Sequence, residues 1–238
     1  MTKKLLLVNP ADSAKLNATS VRLFTLPPPS LACLAALTPS DWDTKIVDEN
    51  IEPLTFADAD LVGITAMTSS APRAYEISEQ YRRKGIKTVM GGIHASMMHD
   101  EAAQFVDSVV IGESESVWQS LLDDFEKDEL RRFYRGKRSS LENLVRPRND
   151  LYSDRYRLKA SVQTARGCPM DCEFCSVTTF HGRTYRQRPV EDVLDELEAL
   201  DCKEFFFSDD NILGYGKDAE ERAIQLFRGM LKRGLNKR

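Results

Sequence analysis

The sequence predicts an α/β protein: a doubly wound, mainly parallel sheet in the first half, then a second α/β unit. Three observations carry this reading. Short apolar runs closed by turn residues recur without polar alternation, the pattern of strands buried on both faces. Segments with apolar residues at helical spacing lie between them. The loops after the third, fourth and fifth runs are rich in Ser/Thr or Gly, as suits the carboxyl edge where such sheets bind ligands.

The first strand is residues 5–8 (LLLV), closed by Asn9-Pro10. Ser30, after three prolines, is expected to start a helix over 31–37 that stops near Pro39. Strands follow at 44–47 and 61–65 (LVGIT). Thr68-Ser69-Ser70 is expected to cap the next helix, with Pro72 in its first turn, Gly85 at its end, and Ala74, Ile77, Ser78 and Tyr81 on one face. The fourth strand, 88–90, runs into Gly91-Gly92-Ile93-His94. The fifth, 108–111, runs into Gly112-Glu113-Ser114-Glu115 and a helix reaching about Phe125. The basic run 131–138 reads as a solvated edge or linker.

These patterns divide the chain into a first domain over 1–135, a linker over 136–157 and a second α/β unit over 158–238. The second unit begins with a strand at 160–164 that leads into Arg166-Gly167-Cys168-Pro169. Pro189 opens a helix with Val190, Val193, Leu194, Leu197 and Leu200 at helical spacing. A strand at 204–208 ends in Asp209-Asp210-Asn211, and a last helix covers 217–233.

Composition narrows the function. The chain has 238 residues, 42% hydrophobic and 29% charged, with net charge -4, so a nucleic-acid footprint is not indicated. No apolar run approaches the roughly 20 residues that span a bilayer, and the N-terminus lacks a signal-peptide core. The expected location is the cytoplasm, where five cysteines read as metal ligands or buried hydrophobes rather than disulfides. Cys33 and Cys202, each alone among apolar residues, read as buried hydrophobes.

Cys168, Cys172 and Cys175 lie within eight residues on a strand-exit loop. A loop can bring three sulfurs together, which a straight strand or helix cannot. Three thiolates satisfy three irons of a cubane and leave the fourth iron open to a small molecule. The alternative is zinc, which wants a fourth ligand; His181 is the nearest candidate, and no second C-x-x-C exists.

The C-x3-C-x2-C spacing, with Phe174 before the third cysteine, resembles the signature of the radical SAM superfamily. The resemblance implies that the three cysteines hold a [4Fe-4S] cluster on which S-adenosylmethionine (SAM) is cleaved, with Phe174 near its adenine. It also implies that this unit is the start of an incomplete TIM-type barrel. The superfamily's Gly-Gly-Glu motif is replaced here by Asp209 and Asp210, which would hold the SAM ammonium. The preceding segments V-G-I-T at 62–65, G-G-I-H at 91–94 and I-G-E-S-E at 111–115, in this order, resemble the cobalamin-binding domain of B12-dependent radical SAM enzymes. By that resemblance Thr65, Ser69, Ser70, Gly91, Gly92, His94, Gly112 and Glu113 would lie at the cobalamin. The Asp-x-His-x-x-Gly motif that supplies an axial histidine in methionine-synthase-like domains is absent from residues 1–130, so the lower face of cobalt is expected to lack a side-chain ligand.

The implied activity is a C-methyltransferase acting on a small molecule, with an electron donor such as flavodoxin or ferredoxin. A non-methylating cyclase or rearrangement enzyme is the alternative. Only 80 residues follow residue 158, against about 250 in a TIM barrel, so the chain is expected to be the N-terminal part of a longer enzyme, or a truncated product limited to binding cobalamin and not capable of turnover.

Overall fold

The computed structural model describes residues 2–11, 25–142, 144–235 and 237. They form two compact units, Met1–Arg138 with Pro147–Arg157, and Ser139–Arg146 with Leu158–Arg238.

Six parallel strands make up the sheet of the first unit: β1 Lys4–Asn9, β2 Asp43–Asp48, β3 Leu61–Thr65, β4 Lys87–Gly91, β5 Ser108–Ile111 and β6 Phe133–Arg135. Their order is β2-β1-β3-β4-β5-β6, the doubly wound arrangement expected. Alternate residues of β1 serve opposite cores, which is why the run is apolar throughout. Leu5 and Leu7 pack with α1 (Pro29–Leu37) and α5 (Trp118–Glu126) through Leu31, Trp118, Leu121 and Leu122. Leu6 and Val8 pack with α2 (Ala71–Arg82) through Ala74, Ile77 and Tyr81, and with α3 (Gly92–Met97) and α4 (His99–Phe105) through Ala95, Ala102 and Ala103.

Several expectations are corrected. Ser30 does not cap α1: Pro28 is the N-cap, Pro29 supplies a preset φ, and no side chain closes the helix start. Thr68, Ser69 and Ser70 form a 3-10 turn of their own; Ser70 stands at the N-cap of α2 but makes no side-chain capping hydrogen bond. The Gly-rich stretch after β4, expected as a loop, already begins α3 at Gly92, and α4 follows before β5. The basic run contributes the edge strand β6, because Tyr134 is buried against the core and its hydroxyl donates to Asp124 at 2.7 Å. Residues 147–157 return to the first unit. There the Arg148 N–H donates to the Ala32 carbonyl at 3.0 Å, and the Tyr152 and Tyr156 hydroxyls donate to the Pro28 carbonyl and the Asp48 carboxylate.

In the second unit β7 (Ser161–Val162) pairs in parallel with β10 (Phe206–Phe207), and β8 (Ala165–Arg166) pairs antiparallel with β9 (Arg186–Gln187). The strand expected at 160–164 is therefore shorter, and β8, two residues later, pairs with a different partner. Helix α6 is Val177–His181, α7 is Val190–Ala199 and α8 is Lys217–Lys232. Val162, Val193, Leu194, Leu197 and Leu226 form the core. No helix among the described residues is long and apolar enough to cross a membrane.

Candidate functional site

The carboxyl ends of β3, β4 and β5 are stitched together by short polar contacts. Ala66 donates its N–H to the Gly91 carbonyl at 3.2 Å and accepts the His94 N–H at 3.1 Å. Ser96 links the other side, donating to the Gly92 carbonyl at 2.8 Å and accepting the Gly112 N–H at 2.9 Å. Gly92 has φ +94°, and a Cβ there would lie 2.9 Å from Thr65 Oγ1 and 3.0 Å from the Ala66 carbonyl oxygen. Its glycine is thus required by the protein's own backbone. Gly91 is different: among the described residues a Cβ there would meet nothing closer than Val110, 3.8 Å away.

The residues expected at the cobalamin fall into two groups. Thr65, Gly91, Gly92 and Gly112 are half-buried and Ser69 is exposed, all at this edge. Ser70, His94 and Glu113 are buried. Ser70 Oγ accepts the Met67 N–H and donates to the Met67 carbonyl, both at 3.2 Å. Glu113 lies under Gly136, where a Cβ would overlap the Glu113 carbonyl. The His94 ring is held on both sides, with Nε2 2.7 Å from the Tyr75 hydroxyl and Nδ1 3.4 Å from Thr68 Oγ1. Tyr75 donates onward to Glu101 at 3.0 Å; burial, then that hydrogen bond, pushes its pKa well above the usual phenol value. Tyr75, Ser96 and Glu101 escaped the sequence reading because their roles depend on α3 and α4. A hydroxyl four residues after Gly92 was the available signal, once 92–97 is known to be helical.

In the second unit the cysteine loop leaves β8 through Gly167 (φ +88°), where any Cβ would fall 2.3 Å from the Thr184 carbonyl oxygen. Cys168 and Cys175 are half-buried, Cys172 is exposed, and all three are free thiols. The Cys175 N–H donates to the Cys172 carbonyl at 3.0 Å, forming a turn. The expected convergence of the sulfurs is not seen: among the described residues no three His, Cys, Asp or Glu side chains gather closely enough to hold a metal ion. Coordination itself closes such loops, and backbone contacts alone do not. Three accessible thiols on one loop nevertheless suit a soft, thiolate-bound cluster. Phe174 is 92% exposed, clear of any core. Cys33 is buried as expected, whereas Cys202 is only half-buried.

Asp209 and Asp210 contact the root of this loop. Asp209 Oδ1 accepts the N–H groups of Thr164 and Ala165, both at 2.6 Å, and Asp210 Oδ2 accepts that of Gly167 at 3.2 Å. Among the described residues Asp209 Oδ2 is buried without a partner, and burial pushes this carboxyl above the ordinary carboxylate range. An acceptor left over in this position fits an ammonium group.

Comparison with known proteins agrees with both units. Residues 18–122 match the B12 binding domain and residues 162–233 the radical SAM superfamily. The chain is 33% identical over 188 residues to the bacteriochlorophyllide d C-8(2)-methyltransferase of Chlorobaculum tepidum, covering 75% of this chain and 41% of that protein. It is 31% identical over 248 residues to the C-12(1)-methyltransferase of the same organism, covering 98% and 53%. The chain thus spans about half the length of the curated relatives it matches. Its fold matches that of the radical S-adenosylmethionine methyltransferase TsrM from Kitasatospora setae, solved with cobalamin and a [4Fe-4S] cluster, with a TM-score of 0.71 and 18% identity over 98% of this chain and 51% of that one. The sheet, the cysteine loop and these similarities together place the chain in the cobalamin-binding-domain-containing radical SAM family, whose cofactors are a [4Fe-4S] cluster, SAM and cobalamin.

Proposed function

We propose that this chain carries the cofactor-handling portion of a cobalamin-dependent radical SAM enzyme that methylates an unactivated carbon of a small molecule. The observation that carries the reading is the C-x3-C-x2-C loop, free of disulfides, leaving β8 beside two strand-end carboxylates. When bound, the cluster with SAM supplies a carbon-centred radical for hydrogen abstraction, and cobalamin supplies a methyl carrier.

Cys168, Cys172 and Cys175 contribute the three thiolates. Phe174, already exposed, would lie near the adenine, and Asp209 and Asp210 would hold the SAM ammonium. At the other cofactor, Thr65, Ser69, Gly91, Gly92 and Gly112 form the contact edge, and Gly91 gives the closest approach. Ser70, His94 and Glu113 act from beneath by holding that edge in shape. With both ring nitrogens engaged by Tyr75 and Thr68, His94 is a support and not a cobalt ligand. The five thiols suit a reducing compartment such as the cytoplasm, with flavodoxin or ferredoxin as electron donor.

Metal analysis tests this. The chain is purified without oxygen and reconstituted with iron, sulfide and hydroxocobalamin. About four irons and one cobalt per chain are expected, with iron lost in the Cys168→Ala/Cys172→Ala/Cys175→Ala variant. One zinc per chain overturns the cluster, and cobalt without iron leaves only cobalamin binding.

A further inference from the structure

Arg222 belongs to none of the motifs above, yet it is one of the few buried charges of the second unit, 8% exposed on α8. Its Nη2 donates to the Thr164 carbonyl at 2.9 Å and the Arg188 carbonyl at 2.7 Å. Its Nε reaches the same Arg188 carbonyl at 3.2 Å and its Nη1 reaches Thr164 Oγ1 at 3.3 Å. Burying a guanidinium on carbonyls is costly, and burial lowers the pKa of this one. Packing alone would be served by a leucine. What the planar fork does that leucine cannot is tie two separate chain segments, the β7–β8 connection at Thr164 and the β9–α7 connection at Arg188, at fixed spacing.

Thr164 is the shared point. It is fully buried, its carbonyl also accepts the Arg188 N–H at 2.9 Å, and its own N–H is held by Asp209. From Thr164 to Gly167 the backbone is therefore gripped by Arg222 on the carbonyl side and by Asp209 and Asp210 on the amide side. Cys168 is the next residue.

We propose that Arg222, acting through Thr164 and with Asp209 opposite, is a positioning residue that fixes the root of the cysteine loop and so sets where the first thiolate stands. This rests on the reading of the three cysteines as cluster ligands. Arg222 touches neither cluster nor SAM; it acts through the backbone. The loop whose three thiolates would hold the cluster leaves the strand at this point, so its root sets where the first of them, Cys168, stands.

The test compares the full chain with Arg222→Leu, Arg222→Lys and Arg233→Leu. Arg233 ends the same helix and pairs on the surface with Glu191, Asp195 and Glu198, so its loss loosens α8 without touching the loop root. In the metal-free chains, hydrogen exchange over residues 163–175 is expected to quicken about tenfold or more in Arg222→Leu, as for one lost charge-assisted hydrogen bond, and less in Arg222→Lys, with the six-stranded sheet unchanged. After reconstitution and reduction, Arg222→Leu holds less iron and loses the change in EPR signal that SAM causes in the wild type; Arg222→Lys regains part of it. Arg233→Leu matches the wild type in both readouts. Wild-type exchange and a full SAM response in Arg222→Leu overturn the proposal. If that variant does not fold, Arg222→Lys decides: indistinguishable exchange overturns it. A wild-type chain that takes up no iron sinks the cluster reading instead, while the exchange comparison still scores the grip on the loop.

Discussion

Alanine at the two adjacent glycines where β4 passes into α3, Gly91 and Gly92, should have very unequal consequences. At Gly92 (φ +94°) a methyl would stand 2.9 Å from Thr65 Oγ1, 3.0 Å from the Ala66 carbonyl oxygen and 3.1 Å from the Ala66 nitrogen. The hydroxyl can rotate away. The Ala66 backbone cannot, because its N–H is given to Gly91 and its carbonyl receives the His94 N–H. Left-handed backbone costs an alanine about 1–2 kcal/mol, and overlap with fixed atoms adds about 1 kcal/mol, so Gly92→Ala loses about 2–3 kcal/mol. Gly91 has an extended backbone (φ -132°) and its nearest neighbour is 3.8 Å from a methyl, so Gly91→Ala stays within about 0.5 kcal/mol of wild type. Urea unfolding followed by tryptophan fluorescence measures both, since the chain's two tryptophans, Trp42 and Trp118, are buried in the first unit. With a slope of about 2 kcal/mol per molar, the Gly92→Ala midpoint falls by about 1 M. Equal midpoints for the two variants would refute the assignment of Gly92 to backbone geometry. Gly91→Ala should instead weaken cobalamin binding in a titration followed by the corrin absorbance.

Three further outcomes are expected. Arg188 and Glu196, whose side chains are 2% and 4% exposed, pair at 2.6 Å; Glu196→Ala strands the guanidinium and costs about 3–5 kcal/mol, and the double variant Arg188→Met/Glu196→Leu regains most of it in thermal melts. A double variant that melts no higher than Glu196→Ala defeats this account. Among the described residues the Tyr81 hydroxyl is buried without a partner, so Tyr81→Phe is expected to stabilise the first unit by about 1 kcal/mol, and a lowered urea midpoint would count against it. The hydrogen bond from Tyr134, then that from Arg131, holds the Asp124 carboxyl below its ordinary 3.8. Because the folded value is the lower one, this stabilisation is present above pH 3.8 and is lost as pH falls through the folded value. Asp124→Asn should therefore be less stable at neutral pH and show a flatter acid-unfolding curve. Parallel curves for variant and wild type would remove Asp124 from the linkage.

The sequence by itself determined that the first unit is a doubly wound parallel sheet, and it singled out Cys168, Cys172 and Cys175 as candidate metal ligands. Apolar runs such as LLLV, bounded by turn residues, suit strands covered on both faces, and three cysteines at this spacing stand out because ligand chemistry lives in residue type and separation. β3 and β5 fell at the expected residues for the same reason. What failed to show was whatever depends on partners distant in the chain. Residues 131–138 look like a solvated basic run, yet Tyr134 finds Asp124 and the core, and an edge strand results. Ser96, Tyr75 and Glu101 are unremarkable until α3 and α4 fold against the sheet edge. Asp209 and Asp210 were legible as carboxylates at a strand end, but only the tertiary structure turns them onto the N–H groups of Thr164, Ala165 and Gly167. Arg222, 47 residues beyond the last cysteine of the loop, carries no local signal at all. Its role exists because burial makes two carbonyls, brought together from different loops, the groups that its fork can satisfy.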